Sequence, residues 1–137
     1  MANNIDGPEI TLKASAALGV LGAVGASSCQ FHIMTLDTAG RVKIANDADV
    51  AVEPMIGVLQ NVPEAIDQEA VIRCEGVAKV VFTGIIAPGV AVTTDSSGHA
   101  VAAASGDWML GFTLETTTAG GLHPVKLAVG TVYAVPA

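Results

Sequence analysis

Three histidines, two cysteines and thirteen carboxylates are the groups in this 137-residue chain that could carry chemistry. The most suggestive cluster is Asp95, Ser96, Ser97 and His99, which holds the three residue types of a nucleophilic triad. A triad draws its members from separate elements and sets an oxyanion hole beside them. Here all four residues fall in or beside one D-x-x-G turn, and no G-x-S-x-G elbow occurs in the chain. The cluster reads as turn chemistry.

The other candidates fail on spacing. His32 and His123 stand 91 residues apart with no carboxylate at metal-ligand spacing, whereas a metal needs three or four convergent ligands. The acidic run Asn46–Asp49, with Glu53 beyond it, has one edge of a calcium loop. It lacks the D-x-D-x-D-G series and the bidentate glutamate, so it reads as a solvated loop. Gly19, Gly22 and Gly25 have no G-K-[ST] after them and cannot build a phosphate loop. Lys79 lies within a predicted strand, not at the exposed hairpin tip that a carrier lysine requires. Hydrolysis by paired carboxylates needs two acids facing across a cleft, but most acids here sit in loops such as Glu64 to Glu69. Cys29 and Cys74 lack C-x-x-C spacing. They read as free core thiols, with a single disulfide left open. The expectation is a non-enzyme with no catalytic residue, no cofactor and no metal.

The elements that would position such residues are strands. The chain holds 18 Val, 9 Ile, 11 Thr and 15 Gly, and only 14% of it is charged. Branched residues fit a pleated surface and glycine supplies turns. A soluble surface normally carries more charge, so part of this one is expected to be covered by a partner, a second copy included. A trimer is the first expectation and a dimer the second. With a net charge of −7 and six cations, nucleic-acid binding is excluded. The apolar stretch Ala14–Ala26 is too short to span a bilayer and follows Asp6 and Glu9, not a basic region. No membrane association and no export signal are expected.

The predicted fold class is all-β: a small barrel or sandwich of short antiparallel strands, pseudo-symmetric by internal duplication, with an extended N-terminal arm. Residues 1–13 form the arm and first strand (Glu9–Lys13), and 14–137 form one β-domain. The Ala/Gly-rich run that follows the first strand reads as a loop or loose strand pair. Further strands are predicted at Gln30–Leu36, Arg41–Ala45, Met55–Gln60, Ala70–Cys74, Val77–Phe82, Val90–Thr94, His99–Ala103, Trp108–Glu115, Leu122–Ala128 and Thr131–Val135. The duplication rests on three landmarks in order. The turn Asp37 to Gly40 recurs as Asp95 to Gly98, 58 residues later. The pairs Gly57/Gly111 and Gly76/Gly130 follow at 54, and Val71 pairs with Val125 at the same offset. The approximate copies are 30–82 and 90–135, and packing one against the other is expected to close the fold.

The order I-G-V-L-Q-N-x-P (from Ile56), G-V-x-K-V (from Gly76), V-T-T-D-x-x-G-x-A (from Val92) and G-x-x-x-L-G (from Gly106) resembles the small capsid cement, or head decoration, proteins of tailed phages. The likeness covers roughly Pro54–Glu115 and includes the Gly84–Gly89 segment; the stretch Ala14–Ser28 departs from it. It implies a β-rich protein, made in the host cytoplasm, that binds the outer face of a capsid and bridges neighbouring major capsid proteins against the pressure of packaged DNA. It supplies no catalytic residues. Ile5, Ile10, Leu12 and Trp108 are the residues assigned to capsid or subunit contact, although a core anchor is the favoured reading of Trp108. The rival readings are another virion role (tail component or head fibre base) and a carbohydrate-binding β-module. The latter is disfavoured because the few aromatics all sit at strand positions.

Overall fold

The structure is a computed structural model and describes residues 9–14, 30–37, 39–45, 55–61, 63 and 67–134. Among these it contains ten strands and no helix: β1 (Glu9–Lys13), β2 (Ile33–Leu36), β3 (Val42–Ile44), β4 (Gly57–Leu59), β5 (Glu69–Arg73), β6 (Val77–Val81), β7 (Ala91–Thr94), β8 (Ala100–Ala102), β9 (Trp108–Thr113) and β10 (Leu122–Val132). They form two five-stranded antiparallel sheets, ordered β1-β5-β4-β2-β3 and β6-β10-β9-β7-β8. Adding five to each strand of the first order gives the second.

The hydrogen-bond ladders align the two halves residue by residue. Met34 faces Gly57 as Val92 faces Gly111, and Ile72 faces Leu59 as Val125 faces Thr113. The two D-x-x-G turns are also superposable. The Asp37 Oδ1 accepts from the N–H groups of Ala39 and Arg41 at 2.8 and 2.9 Å. Asp95 Oδ1 accepts from Ser97 and His99 at the same two distances. Each closes its hairpin with a glycine at φ 78° and 77°, respectively.

Each sheet then curls until its outer strands meet. One parallel bridge joins Ala14, just past β1, to Val42 in β3, and the equivalent bridge joins Phe82, just past β6, to Ala100 in β8. Each half is therefore a small barrel of its own. The interior of the first holds Met34, Val42, Leu59 and Ile72, fully buried, with Ile10 and Leu12 packed around them. The second is filled by Val80, Phe82, Val92, Leu110 and Val125, and its cluster continues onto Ile33, Ala45, Met55 and Val58 from the outer face of the first sheet. One half thus docks its outer face onto the other.

Several sequence expectations need correction. The repeat is a five-strand unit, and β6 opens the second copy instead of ending the first. Strand β1 is integral to the first sheet, pairing with β5 over its whole length, so a boundary after residue 13 cuts a sheet. Residues 1–8, the arm proper, lie outside the described residues, as does most of the Ala/Gly-rich run. The ladders pair Ile72, not Val71, with Val125 as repeat equivalents. A one-residue slip sends a side chain to the opposite face, and Ile72 and Val125 are both buried whereas Val71 is half-buried. Gly76 and Gly130 then lose their equivalence: Gly76 turns β5 into β6, and Gly130 sits in a bulge. That bulge, between Leu127 and Thr131, lets two predicted strands run as the single β10.

Gly57 and Gly111 sit where neighbouring backbones come closest. A Cβ on Gly57 would land on the Arg73 carbonyl oxygen of β5, and one on Gly111 on the Lys126 carbonyl of β10. Backbone cannot step aside as a flexible side chain does. Gly57→Ala and Gly111→Ala are each expected to cost roughly 2 kcal/mol or more, read as a lower urea midpoint at unchanged slope. An unaltered midpoint in either variant would contradict the close approach.

Candidate interaction surfaces

The polar residues singled out in the sequence are occupied by structure. Asp95 is spent on its turn, and its Oδ2 stands 3.3 Å from His99 Nδ1. His123 ties a loop: Nε2 accepts the Thr118 N–H at 3.0 Å, which leaves Nδ1 to donate to Glu115 Oε2 at 2.7 Å. The ring also meets Phe82 edge-on at 5.8 Å. Lys79 points outward from β6, opposite Pro124. Cys74 is a free, half-buried thiol whose pKa is pushed up by burial and by the charge of Glu75, which lowers its reactivity. Cys29, the Asn46–Asp49 loop, Glu53 and Glu64 fall outside the described residues, as do Gly19, Gly22 and Gly25. Among the described residues no group of three or more His, Cys, Asp or Glu is placed to hold a metal.

Of the four residues assigned to contacts, Ile5 lies outside the described residues. Ile10 and Leu12 pack against the first barrel's interior, half-buried. Trp108 packs against the second cluster with its indole N–H buried and, among the described residues, without an acceptor. Sequence reasoning did not foresee the pairing of His32 with His99, whose ring centroids stand 4.8 Å apart. It marks the junction of the two barrels. There the Ile33 N–H donates to the Gly98 carbonyl at 2.8 Å, and Val81 N–H to the Phe31 carbonyl at 3.2 Å. The Thr94 hydroxyl reaches the Ala45 carbonyl at 3.4 Å. No spacing in the sequence signals this, because the partners come from different copies.

The segment from Gly84 to Gly89 is held from below. The Thr117 hydroxyl donates to the Gly84 carbonyl at 2.7 Å and accepts the Ile86 N–H at 2.9 Å. The Thr113 hydroxyl donates to the Ala87 carbonyl at 2.6 Å. Both threonines are buried. On this fixed backbone Ile85 projects with 80% of its surface exposed, and Leu114 and Leu122 are exposed large apolar residues of the same half. A large apolar side chain presented on a pre-ordered loop suits a protein contact, since little entropy remains to be lost on binding. On the first barrel, Leu12, Lys13, Gly40, Arg41 and Asp67 line a shallow cleft. Arg41 Nε donates to Asp67 Oδ1 at 2.7 Å across it.

Comparison with known proteins agrees with this architecture. A model of the phage cement protein family matches residues 29–129, reaching well upstream of Pro54. No curated protein sequence matches the chain. Among solved structures the chain is similar to the head fiber gp8.5 N base of bacteriophage phi29, with a TM-score of 0.62 at 14% identity, covering 88% of this chain and 92% of that one. At that identity the likeness is one of fold.

The Arg41–Asp67 pair yields a pH prediction. The hydrogen bond from Arg41 holds the Asp67 carboxyl below the usual carboxylate range, helped by the charges of Arg41 and Lys13. A depressed folded value means the pair stabilises above the ordinary carboxylate range and is lost as pH falls through the folded value. Both groups are solvent-exposed, so the stability change is small. By NMR titration Asp67 is expected to titrate below a free aspartate, and Arg41→Ala to return it upward. No movement in that variant would mean the pair does not form.

Proposed function

The chain belongs to the phage cement protein family, and from that premise we propose that it binds the outer face of a phage capsid and stabilises the lattice by bridging neighbouring major capsid proteins. It is a structural virion protein associated with the capsid. The family match over residues 29–129 carries the reading. Three physical features support the finer claims. The two barrels share one apolar cluster, and a clamp across subunits requires halves joined in that way. The acidic chain is repelled by packaged DNA, which favours the outside. The tethered Gly84–Gly89 segment offers Ile85 as an anchor that needs no ordering on contact. None of this calls for catalysis; the work is binding energy repeated over a lattice.

A second reading, as the base of a head fibre, draws on the fold likeness to the phi29 head fibre base. The two differ in what lies above the capsid surface. Mixing the purified protein with undecorated heads and imaging them separates the cases: cement gives symmetric, low, stoichiometric density and a raised temperature of head disruption. Absence of added density at saturating protein would overturn both readings.

Two variants sharpen the contact. Ile85→Asp is expected to lower head occupancy roughly tenfold or more while leaving the thermal midpoint within a few degrees, as for a charge placed at a contact centre. Deleting residues 1–8, an arm suited to adding a strand to a neighbour's sheet, is expected to weaken head binding and leave the isolated fold intact. Full occupancy by either variant removes that segment from the interface.

A further inference from the structure

The contact between the two barrels is made by different surfaces on each. The first barrel uses Phe31–Ile33, Ala45, Met55 and Val58; the second uses Val81, Thr94, Gly98 and His99. The ladder registers state which residues occupy the same places on the opposite barrels. The first set corresponds to Gly89–Ala91, Ala103, Met109 and Phe112, and the second to Lys13, Leu36, Gly40 and Arg41.

The equivalences extend to backbone detail. Phe31 has φ 69° and donates to the Leu59 carbonyl at 2.7 Å; Gly89 has φ 78° and donates to Thr113 at 2.8 Å. Asp67 has φ 67° and donates to the Ala14 carbonyl at 2.8 Å; Gly120 has φ 76° and donates to Phe82 at 2.7 Å. The cleft lined by Leu12, Lys13, Gly40, Arg41 and Asp67 is therefore the counterpart of the site on the second barrel, lined by Val81, His99, Gly120 and Leu122, that receives Gln30–His32.

Only one copy of each surface is covered by a described residue of the chain. A Cβ on Gly98 would strike Ile33, Ile44 and His32 of the first barrel, while one on Gly40 meets nothing within 4 Å. Val58 is fully buried and its counterpart Phe112 is 40% exposed; Thr94 is 4% exposed and its counterpart Leu36 39%. A two-fold relation would have covered both copies equally. The junction is heterologous, and such contacts continue until a ring closes or a filament grows.

We propose that a second copy of the chain covers these free surfaces, the Leu36–Gly40–Arg41 face of one chain docking on the Ala91–Met109–Phe112 face of the next, so that the junction inside each chain is repeated between chains. The contact chemistry is already present once in the fold. Apolar Leu36 and Phe112 are the residues left in water without it. A closed ring of such chains presents barrels in an even number, joined alternately by internal and intermolecular junctions. The inference does not depend on capsid binding, although a ring suits a lattice axis.

Sedimentation of the full chain is expected to give an oligomer. Leu36→Asp and Phe112→Asp should each fall to monomer, with self-association weakened roughly tenfold or more and thermal midpoints kept within a few degrees. Each variant retains one intact face, so mixing the two is expected to give a one-to-one heterodimer that grows no further. In a Cys29→Ser, Cys74→Ser background, Arg41→Cys with Val90→Cys should join chains through a short bismaleimide, because these positions copy the His32–His99 contact. A monomeric wild-type chain at tens of micromolar, variants that assemble like wild type, or a mixture that stays monomeric would each overturn the proposal. So would a cleft filled by the chain's own residues, read as an intrachain cross-link. Head occupancy, measured separately, reports on the cement reading whichever way assembly falls.

Discussion

A sheet of five short strands closes into a barrel only if its backbones can approach and bend at one place, and here that place is a glycine on the central strand. Gly57 in the first half and Gly111 in the second each sit against a neighbouring carbonyl that any side chain would strike. From that approach follow the curl of each sheet, the bridges Ala14–Val42 and Phe82–Ala100 and a buried interior for Leu59, Ile72, Val80 and Val125. An interior that narrow accepts branched aliphatics and few aromatics, which accounts for a chain with 18 valines and one tryptophan.

The same geometry explains which sequence signals could be read. Turns written in local chemistry were legible: Asp37 and Asp95 each bond two backbone N–H groups within four residues, so the D-x-x-G pattern contains the whole interaction. Short runs rich in branched residues, set between turn signals, placed nine of the strands to within a few residues. Glu9–Lys13 came out with its boundaries as read. The family resemblance lay in those same turns and runs. What depended on contacts between distant segments was not legible. The alternation in Leu122–Val135 breaks at a bulge, so one strand looked like two. The phase of the repeat was missed because β1 and β6 share little sequence, although both close a barrel in the same position. The 54-residue offset matched like residues, Val71 with Val125, where the ladder matches like environments, Ile72 with Val125.

Candidate chemistry followed the same division. Asp95 and His99 form a turn, as their spacing implies. The His32–His99 approach has no local signature, since it exists only where one barrel seats on another. The exposed apolar residues Leu36 and Phe112 are visible in the sequence only as members of strands. Their meaning comes from comparison with buried counterparts in the other half. A duplicated chain thus carries its own control experiment, in which the junction positions Val58/Phe112 and Thr94/Leu36 are seen once covered and once bare.

The uncovered first barrel has a further consequence during synthesis. Because β1 pairs with β5, the first barrel can close once residue 73 has left the ribosome, yet Ile33 and Val58 on its outer face wait for Gly98 and its turn. At translation rates of about 5–20 residues per second, that wait lasts on the order of one to five seconds. For that interval the nascent chain shows an adhesive apolar face beside every other nascent chain on the same message. In a cell making structural protein at high copy number, that brief exposure is where misassembly or chaperone capture would begin.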